Sequence, residues 1–185
     1  MRNILISIRP EWVAKILNGD KTIEIRKTMP KCELPCKVYI YCTKEKSYLD
    51  RLVQNLNGFY YTVRELVDFD ADDYGTYYDI AGKNGEVLAE FTLNKVVEHK
   101  RNFIDFEDNE CYNFKVRDVK NAGFDTDALE LCDFDNFVES YGKGKPLYAW
   151  HIDDLQVYDE PKELSEFVCR KPLKRPPQSW CYVER

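Results

Sequence analysis

The chain has 185 residues, of which 44% are hydrophobic and 14% aromatic, and its formal net charge is −6. This length and composition favour one packed domain over a disordered chain, and no apolar run approaches the roughly 20 residues of a membrane-spanning helix. The N-terminus also lacks the pattern of a signal peptide. Seven cysteines, an odd number, fit a reducing compartment, so the sequence predicts a cytoplasmic protein.

The first elements can be predicted from alternation and turn residues. Residues 3–9 alternate as a strand does. Pro10 suits the first turn of a helix, and Gly19 suits its end. Trp12 heads the apolar stripe of this helix, which predicts that its side chain lies in the core.

The rest of the chain predicts mostly strands, at 21–26, 36–42, 86–98 and 146–158, with helices at 48–56 and near 133–141. Few helices among several strands indicate an α+β, mainly-β class. We expect a single domain over residues 1–169, with insertions near 44–83 and 99–132. Residues 170–185, which include a basic run, are expected to form an extended tail packed on the domain.

Charge is unevenly distributed along the chain. Residues 1–46 hold ten Lys and Arg against five Asp and Glu, whereas residues 65–139 hold seven against twenty. A protein that coats long nucleic acid is usually basic overall, so this imbalance favours a confined basic site for a nucleotide or a short strand. The acidic region 65–139 is either a solubilising surface or a surface for a protein partner.

One motif carries the most specific signal. Residues 7–12 are followed by 16–26, in which Gly19, Lys21, Glu24 and Arg26 spell G-x-K-x-x-E-x-R. These segments resemble the signature of the ASCH family in the PUA-like superfamily. Further segments that resemble strands of that family are 85–91, 147–152 and 158–167. The resemblance implies a PUA-like β-barrel, with a short N-terminal helix and peripheral helices in the insertions, and a role in binding RNA or a nucleotide.

The resemblance also implies an enzymatic alternative. Some small ASCH proteins are amidohydrolases that deacylate N4-acylcytidine, and others have been described as ribonucleases. The lysine of the amidohydrolase pattern matches Lys21. The catalytic threonine three residues later is replaced here by Glu24. Lys21 and Glu24 are therefore the catalytic candidates.

The motif also offers residues for ligand binding. Arg26 can bind a phosphate or a base edge through two hydrogen bonds, and Lys21 can neutralise a phosphate. We expect Lys21, Glu24 and Arg26 to meet at one opening, although an ion pair of Glu24 with Arg26 on an open sheet face would explain the same spacing. The candidate binding residues are Ser7, Arg9, Lys21, Arg26, Lys27 and Trp150.

Trp150 and the pair Cys32 and Cys36 are the remaining candidates for a functional role. Trp150 is equally compatible with a core position and with a stacking position. Cys32 and Cys36 have the spacing of one zinc-ligand pair, but no second pair accompanies them, and we expect no metal or other cofactor. Three hypotheses stay open at this point: a module that binds RNA or a nucleotide, an amidohydrolase, and a protein-interaction domain with an acidic surface.

Overall fold

The computed structural model describes residues 2–67, 77–79, 84–102, 111–118, 141–143 and 145–184. In these residues the chain is mainly β with two α-helices, which confirms the predicted α+β, mainly-β class. The chain divides into two compact units. The first comprises 1–21, 36–92 and 154–185, and the second comprises 22–35 and 93–153.

The strands, in chain order, are β1 (Asn3–Ile8), β2 (Ile23–Arg26), β3 (Cys36–Cys42), β4 (Leu52–Asn55), β5 (Tyr60–Thr62), β6 (Tyr77–Asp79), β7 (Val87–Leu93), β8 (Lys95–Asn102), β9 (Cys111–Asp118), β10 (Leu147–His151), β11 (Asp153–Lys162), β12 (Val168–Cys169), β13 (Lys171–Pro172) and β14 (Trp180–Val183). The helices are α1 (Pro10–Leu17) and α2 (Val63–Val67), and short 3₁₀ turns cover Tyr48–Asp50 and Leu164–Glu166.

The main sheet of the first unit has the strand order β11-β7-β3-β1-β14. Strand β1 pairs in parallel with β3 and antiparallel with β14. Its residues from Ile4 to Ile8 are buried, as expected of an inner strand with both faces covered. The buried cluster on one side of this sheet contains Leu5, Tyr39, Tyr41, Val87, Phe167 and Val183.

A buried carboxylate links three strands of this sheet. Glu90 on β7 pairs with the ammonium of Lys37 on β3, and it accepts a 2.5 Å hydrogen bond from the Tyr158 hydroxyl on β11. Burial alone would raise the pKa of Glu90. The hydrogen bonds from Lys37 and Tyr158, with the charges of Lys37 and Lys162, outweigh it, so that the pKa of Glu90 lies below its ordinary value.

Helix α1 begins and ends as the sequence predicts. Pro10 occupies its first turn, and Gly19 after its end has φ 83°, a conformation that favours glycine.

Asn18, which follows α1, joins the helix to the small sheet β5-β4-β6 through hydrogen bonds. Its side-chain amide donates to the Tyr60 carbonyl at 2.7 Å, and its side-chain oxygen accepts from the Tyr60 N–H at 2.8 Å. Both backbone groups of Tyr60 are thereby satisfied by one side chain.

The sheet of the second unit has the order β2-β10-β8-β9, with antiparallel pairing throughout. One face carries the apolar side chains of Ile23, Val97 and Ala149, which form a buried cluster with Ile25 packed against it. The alternate residues of β2 and β10, including those of the motif, face the other side.

Three element predictions are wrong. Residues 48–56 form a 3₁₀ turn followed by β4. Leu52 and Val53 are buried there and pair with Thr62 and Tyr61 of β5. The strand predicted over 86–98 is two strands, β7 and β8, with Asn94 between them. The strand predicted over 146–158 is likewise divided into β10 and β11.

Some predictions stay open. The strand orders of the described residues give no closed barrel, so the PUA-like barrel is not confirmed. The helix near 133–141 and most of the insertion at 99–132 lie outside the described residues. The domain boundaries, including the single domain over 1–169, stay a prediction. No helix among the described residues is both long enough and apolar enough to cross a membrane.

Candidate functional site

Trp12 is not a core residue, contrary to the prediction from the apolar stripe. Its side chain is 38% exposed. The buried positions of α1 are Pro10, Val13, Ala14 and Ile16. Trp12 lies beside this stripe instead of within it, since each helical residue turns the side-chain direction by about 100°. The indole therefore offers an accessible aromatic surface on the motif helix.

Two lysines flank the exposed indole. The Nζ atom of Lys15 lies 5.0 Å from the centre of the Trp12 ring, and that of Lys21 lies 5.9 Å from it. Lys15 is three residues further along the helix and so shares its surface. Lys21 is positioned by the turn at Gly19 and by its N–H, which donates to the Lys15 carbonyl at 3.0 Å. We name Trp12, Lys15 and Lys21 the Trp12 cluster.

Two other predicted binding residues belong to the same unit. Arg9 precedes α1 as its N-cap, and its side chain is 68% exposed, with one guanidinium nitrogen 3.5 Å from Glu11. Ser7 is buried. Its hydroxyl donates to the Pro177 carbonyl at 2.7 Å, and its N–H donates to the Ser179 carbonyl at 2.9 Å. Ser7 thus joins β1 to the C-terminal segment, whereas Arg9 presents a cation to solvent.

The acidic and basic residues of the motif form a buried ion pair in the second unit. A guanidinium nitrogen of Arg26 lies 3.1 Å from a carboxylate oxygen of Glu24, and each side chain is only 10% exposed. In the register of β2 with β10, Glu24 is opposite Trp150 and Arg26 is opposite Tyr148. These four side chains therefore share one sheet face.

The aromatic residues of that face have structural contacts. Trp150 is 0% exposed, so its ring offers no surface for stacking. The Tyr148 hydroxyl donates to Glu98 on β8 at 3.3 Å. Lys27, which follows β2, is exposed, and its Nζ lies 4.3 Å from the centre of the Tyr141 ring.

The structure thus places the predicted residues in groups. Lys21 lies with Trp12 in the first unit, while Glu24, Arg26 and Trp150 lie on one sheet face of the second. A single opening that unites Lys21 with Glu24 and Arg26 stays a prediction. Sequence reasoning missed Lys15. The spacing of three residues between Trp12 and Lys15 on the predicted helix was a signal that they are neighbours, but the assignment of Trp12 to the core directed attention away from it.

The described residues contain no group of three or more His, Cys, Asp or Glu side chains that could hold a metal ion. The side chains of the Trp12 cluster offer two kinds of interaction. An indole face supports stacking of a planar group, and the ammonium groups attract an anion.

Comparison with solved structures identifies a related fold. The chain is similar to the protein in the crystal structure of ASCH from Zymomonas mobilis, with a TM-score of 0.53 and 16% sequence identity, over 99% of this chain and 88% of that chain. No protein-family model and no curated protein matches the chain. At this level of identity the likeness establishes the fold, and the chain has an ASCH-like fold, as the motif predicted.

Proposed function

We propose that this chain, with its ASCH-like fold, is an ASCH-family domain of the PUA-like β-barrel type that binds RNA or a nucleotide through the Trp12 cluster. The observation that carries the proposal is the exposed indole of Trp12, which has two lysine ammonium groups beside it on the motif helix. An aromatic plane next to cations is the arrangement with which proteins bind unpaired bases and their phosphates.

The energies favour a base over the lysines as the partner of the indole. A cation–π contact at an exposed site contributes about 0.5–1 kcal/mol. Stacking of a base on an aromatic side chain contributes about 1–3 kcal/mol. A base therefore displaces an ammonium group from the ring, and the displaced lysine then contacts the phosphate of the same nucleotide. The intramolecular contacts hold the indole in place before the ligand arrives.

Charge indicates a short ligand. The whole chain has a net charge of −6, so the basic surface is local. In the first unit, Arg9 is the cation that extends the Trp12 cluster toward the N-terminus of α1. Two or three phosphate contacts would give a salt dependence with a slope of about −1.4 to −2.1 on logarithmic axes for a single strand.

In this proposal the other predicted binding residues do not form the stacking site. Most of them are buried and hold the framework together. Arg26 is bound to Glu24 at 3.1 Å and buried with it, and we assign this pair to holding β2 in its sheet. Trp150 is fully buried. Ser7 fixes the C-terminal segment, and Lys27 supplies an exposed cation in the second unit.

The alternatives receive no comparable support. An amidohydrolase that uses Lys21 and Glu24 needs the carboxylate at the substrate, whereas the Glu24 carboxylate is bound by Arg26 in a buried position. Most of the acidic region 65–139, on which the protein-interaction hypothesis depends, lies outside the described residues. The cytoplasmic location stays a prediction.

The test is the affinity for a labelled single-stranded RNA octamer, measured by fluorescence anisotropy. Loss of a stack worth about 1–3 kcal/mol weakens binding about 5- to 150-fold, and we expect this for Trp12→Ala. The matched control is Tyr48→Ala, because Tyr48 is also exposed and has the Arg51 guanidinium 4.9 Å from its ring centre, outside the motif. The control should bind as the natural protein does. Equal affinity of a folded Trp12→Ala variant would refute the site.

A further inference from the structure

Two cysteines lie on neighbouring strands near the C-terminus. Cys169 ends β12, and Cys181 lies within β14. The two strands are joined where Val168 and Glu184 exchange backbone hydrogen bonds, with N···O distances of 3.3 and 2.9 Å. Continuing this antiparallel register places Cys169 opposite Val183. Cys181, two residues away from Val183, projects from the same face.

The two side chains are close enough to influence each other electrostatically. Burial raises the pKa of Cys181, and the charge of the neighbouring Cys169 and a hydrogen bond between the two side chains raise it further, to about 11. Both are free cysteines. Cys169 is exposed, and Cys181 is half-buried. A reagent from solution therefore meets Cys169 before Cys181.

The segment between these cysteines is basic and sharply folded. Cys169 pairs with Lys171 across a tight turn, at which Arg170 adopts φ 64°. The segment carries four exposed cations, Arg170, Lys171, Lys174 and Arg175. We name residues 170–180 the basic loop. A bond between Cys169 and Cys181 would close this loop at its base.

We propose that Cys169 and Cys181 are a redox pair that forms a reversible disulfide by exchange with a small-molecule disulfide such as oxidised glutathione. The thiolate of Cys169 attacks one sulfur of oxidised glutathione and releases one glutathione thiolate, which takes up a proton. The sulfur of Cys181, after losing its proton to solvent, attacks the Cys169 sulfur of the mixed disulfide and releases the second glutathione. The protein loses two hydrogens and oxidised glutathione becomes two glutathione molecules.

The bond would stiffen one edge of the main sheet. Strand β14 pairs with β1, with Trp180 opposite Ile6, and β12 is held to β14 by the Val168–Glu184 bridge. A disulfide that closes a loop of this size raises the thermal midpoint by about 6–12 °C for a chain of this length. It also restricts the four cations of the basic loop. The proposal does not depend on nucleotide binding at the Trp12 cluster.

The experiment incubates the reduced full-length protein with mixtures of oxidised and reduced glutathione, traps the remaining thiols by alkylation, and identifies the products by mass spectrometry. We expect loss of two hydrogens and a linked peptide that contains Cys169 and Cys181, reversed by excess reduced glutathione. Trypsin can cut after Arg170 and Lys174 in the basic loop. The nicked, oxidised chain should run as one species until a reductant separates its two parts.

The variants distinguish the order of the steps. Cys181→Ser should accumulate a single glutathione on Cys169, because the second thiol is missing. Cys169→Ser should form no linked peptide, and Cys32→Ser, which alters a cysteine outside the pair, should behave as the natural protein does. Glutathione that stays on Cys169 in the natural protein, with no Cys169–Cys181 peptide at any mixture, would overturn the proposal. That measurement needs no variant to fold.

Discussion

The two units of the chain place similar residues in opposite environments. In the first unit, Trp12 and Lys21 are a tryptophan and a cation at the surface. In the second unit, Trp150 and Arg26 are a tryptophan and a cation that share a face of a sheet and are buried. The comparison shows that residue type and spacing identify a motif but do not separate the residues that meet a ligand from those that build the framework. Burial makes that distinction.

The largest expected effect is the difference in stability between the alanine variants of the two tryptophans. Trp150→Ala removes a fully buried ring, and we expect the free energy of unfolding to fall by about 3–5 kcal/mol. Trp12→Ala removes a ring that is 38% exposed, and we expect a loss below about 1 kcal/mol. Urea unfolding followed by circular dichroism measures both. Similar losses for the two variants would contradict the division into framework and surface.

The next largest effect is the difference between the stability lost when a buried ion pair is broken and that lost when an exposed ion pair is broken. Arg26→Met leaves the Glu24 carboxylate buried without its 3.1 Å partner, and we expect a loss of about 3 kcal/mol. The matched control is Arg64→Met, which breaks the 2.8 Å pair with Asp50, where the arginine side chain is 56% exposed. That loss should be below about 1 kcal/mol. Adding Glu24→Gln to Arg26→Met should recover part of the stability. No recovery would argue against the ion pair as the cause.

A third prediction extends the comparison to a buried carboxylate of the first unit. The pKa of Glu90 is lowered in the folded protein, so ionised Glu90 contributes stability above its unfolded pKa, about 4.3. This contribution is lost as the pH falls below that value and through the lower folded pKa. Glu90→Gln should therefore be less stable than the natural protein at pH 7, with a difference that shrinks below about pH 4.

The control for Glu90 is Asp159→Asn, an exposed carboxylate on the adjacent strand β11. Asp159→Asn should cost little stability at pH 7 because its side chain is exposed, and urea unfolding at each pH measures both variants. A stability difference for Glu90→Gln that grows on acidification would contradict the direction of its pKa shift.

The smallest expected effect concerns the salt dependence of RNA binding. Lys21→Gln removes one phosphate contact, and the slope of log K against log salt should become shallower by about 0.7. Lys46→Gln, an exposed lysine of the same unit, should leave the slope unchanged. Anisotropy titrations at several salt concentrations measure it. An equal change for both lysines would indicate a general charge effect instead of a contact.

The sequence predicts well the elements whose signals are local. The alternation of β1, the proline that begins α1 and the glycine that ends it all act within a few residues, and each prediction is confirmed. The helix prediction for residues 48–56 is wrong because the structure of this segment depends on a distant pairing partner. Leu52 and Val53 are strand residues because they pair with β5 further along the chain. The local sequence of residues 48–56 carries no information about that pairing partner.

The site was predictable only in part. The motif drew attention to Lys21 and Arg26, but not to which of them is accessible. Trp12 was assigned to the core because it forms an apolar stripe with Val13, Ile16 and Leu17, whereas the observed buried stripe contains Pro10 and Ala14 in place of Trp12 and Leu17. On a helix one residue corresponds to about 100° of rotation. Strand alternation predicts which face of the sheet carries Arg26. It does not predict whether that face is covered, and the burial of Arg26 depends on that packing.

The most direct test of the account is a titration of the ¹⁵N-labelled protein with a single-stranded RNA tetramer, followed through the indole N–H resonances of its three tryptophans. Trp12→Phe assigns the resonance of Trp12. The account predicts that the Trp12 resonance shifts in proportion to bound RNA while the buried Trp150 resonance stays in place. Bound RNA that leaves the Trp12 resonance unmoved would contradict it.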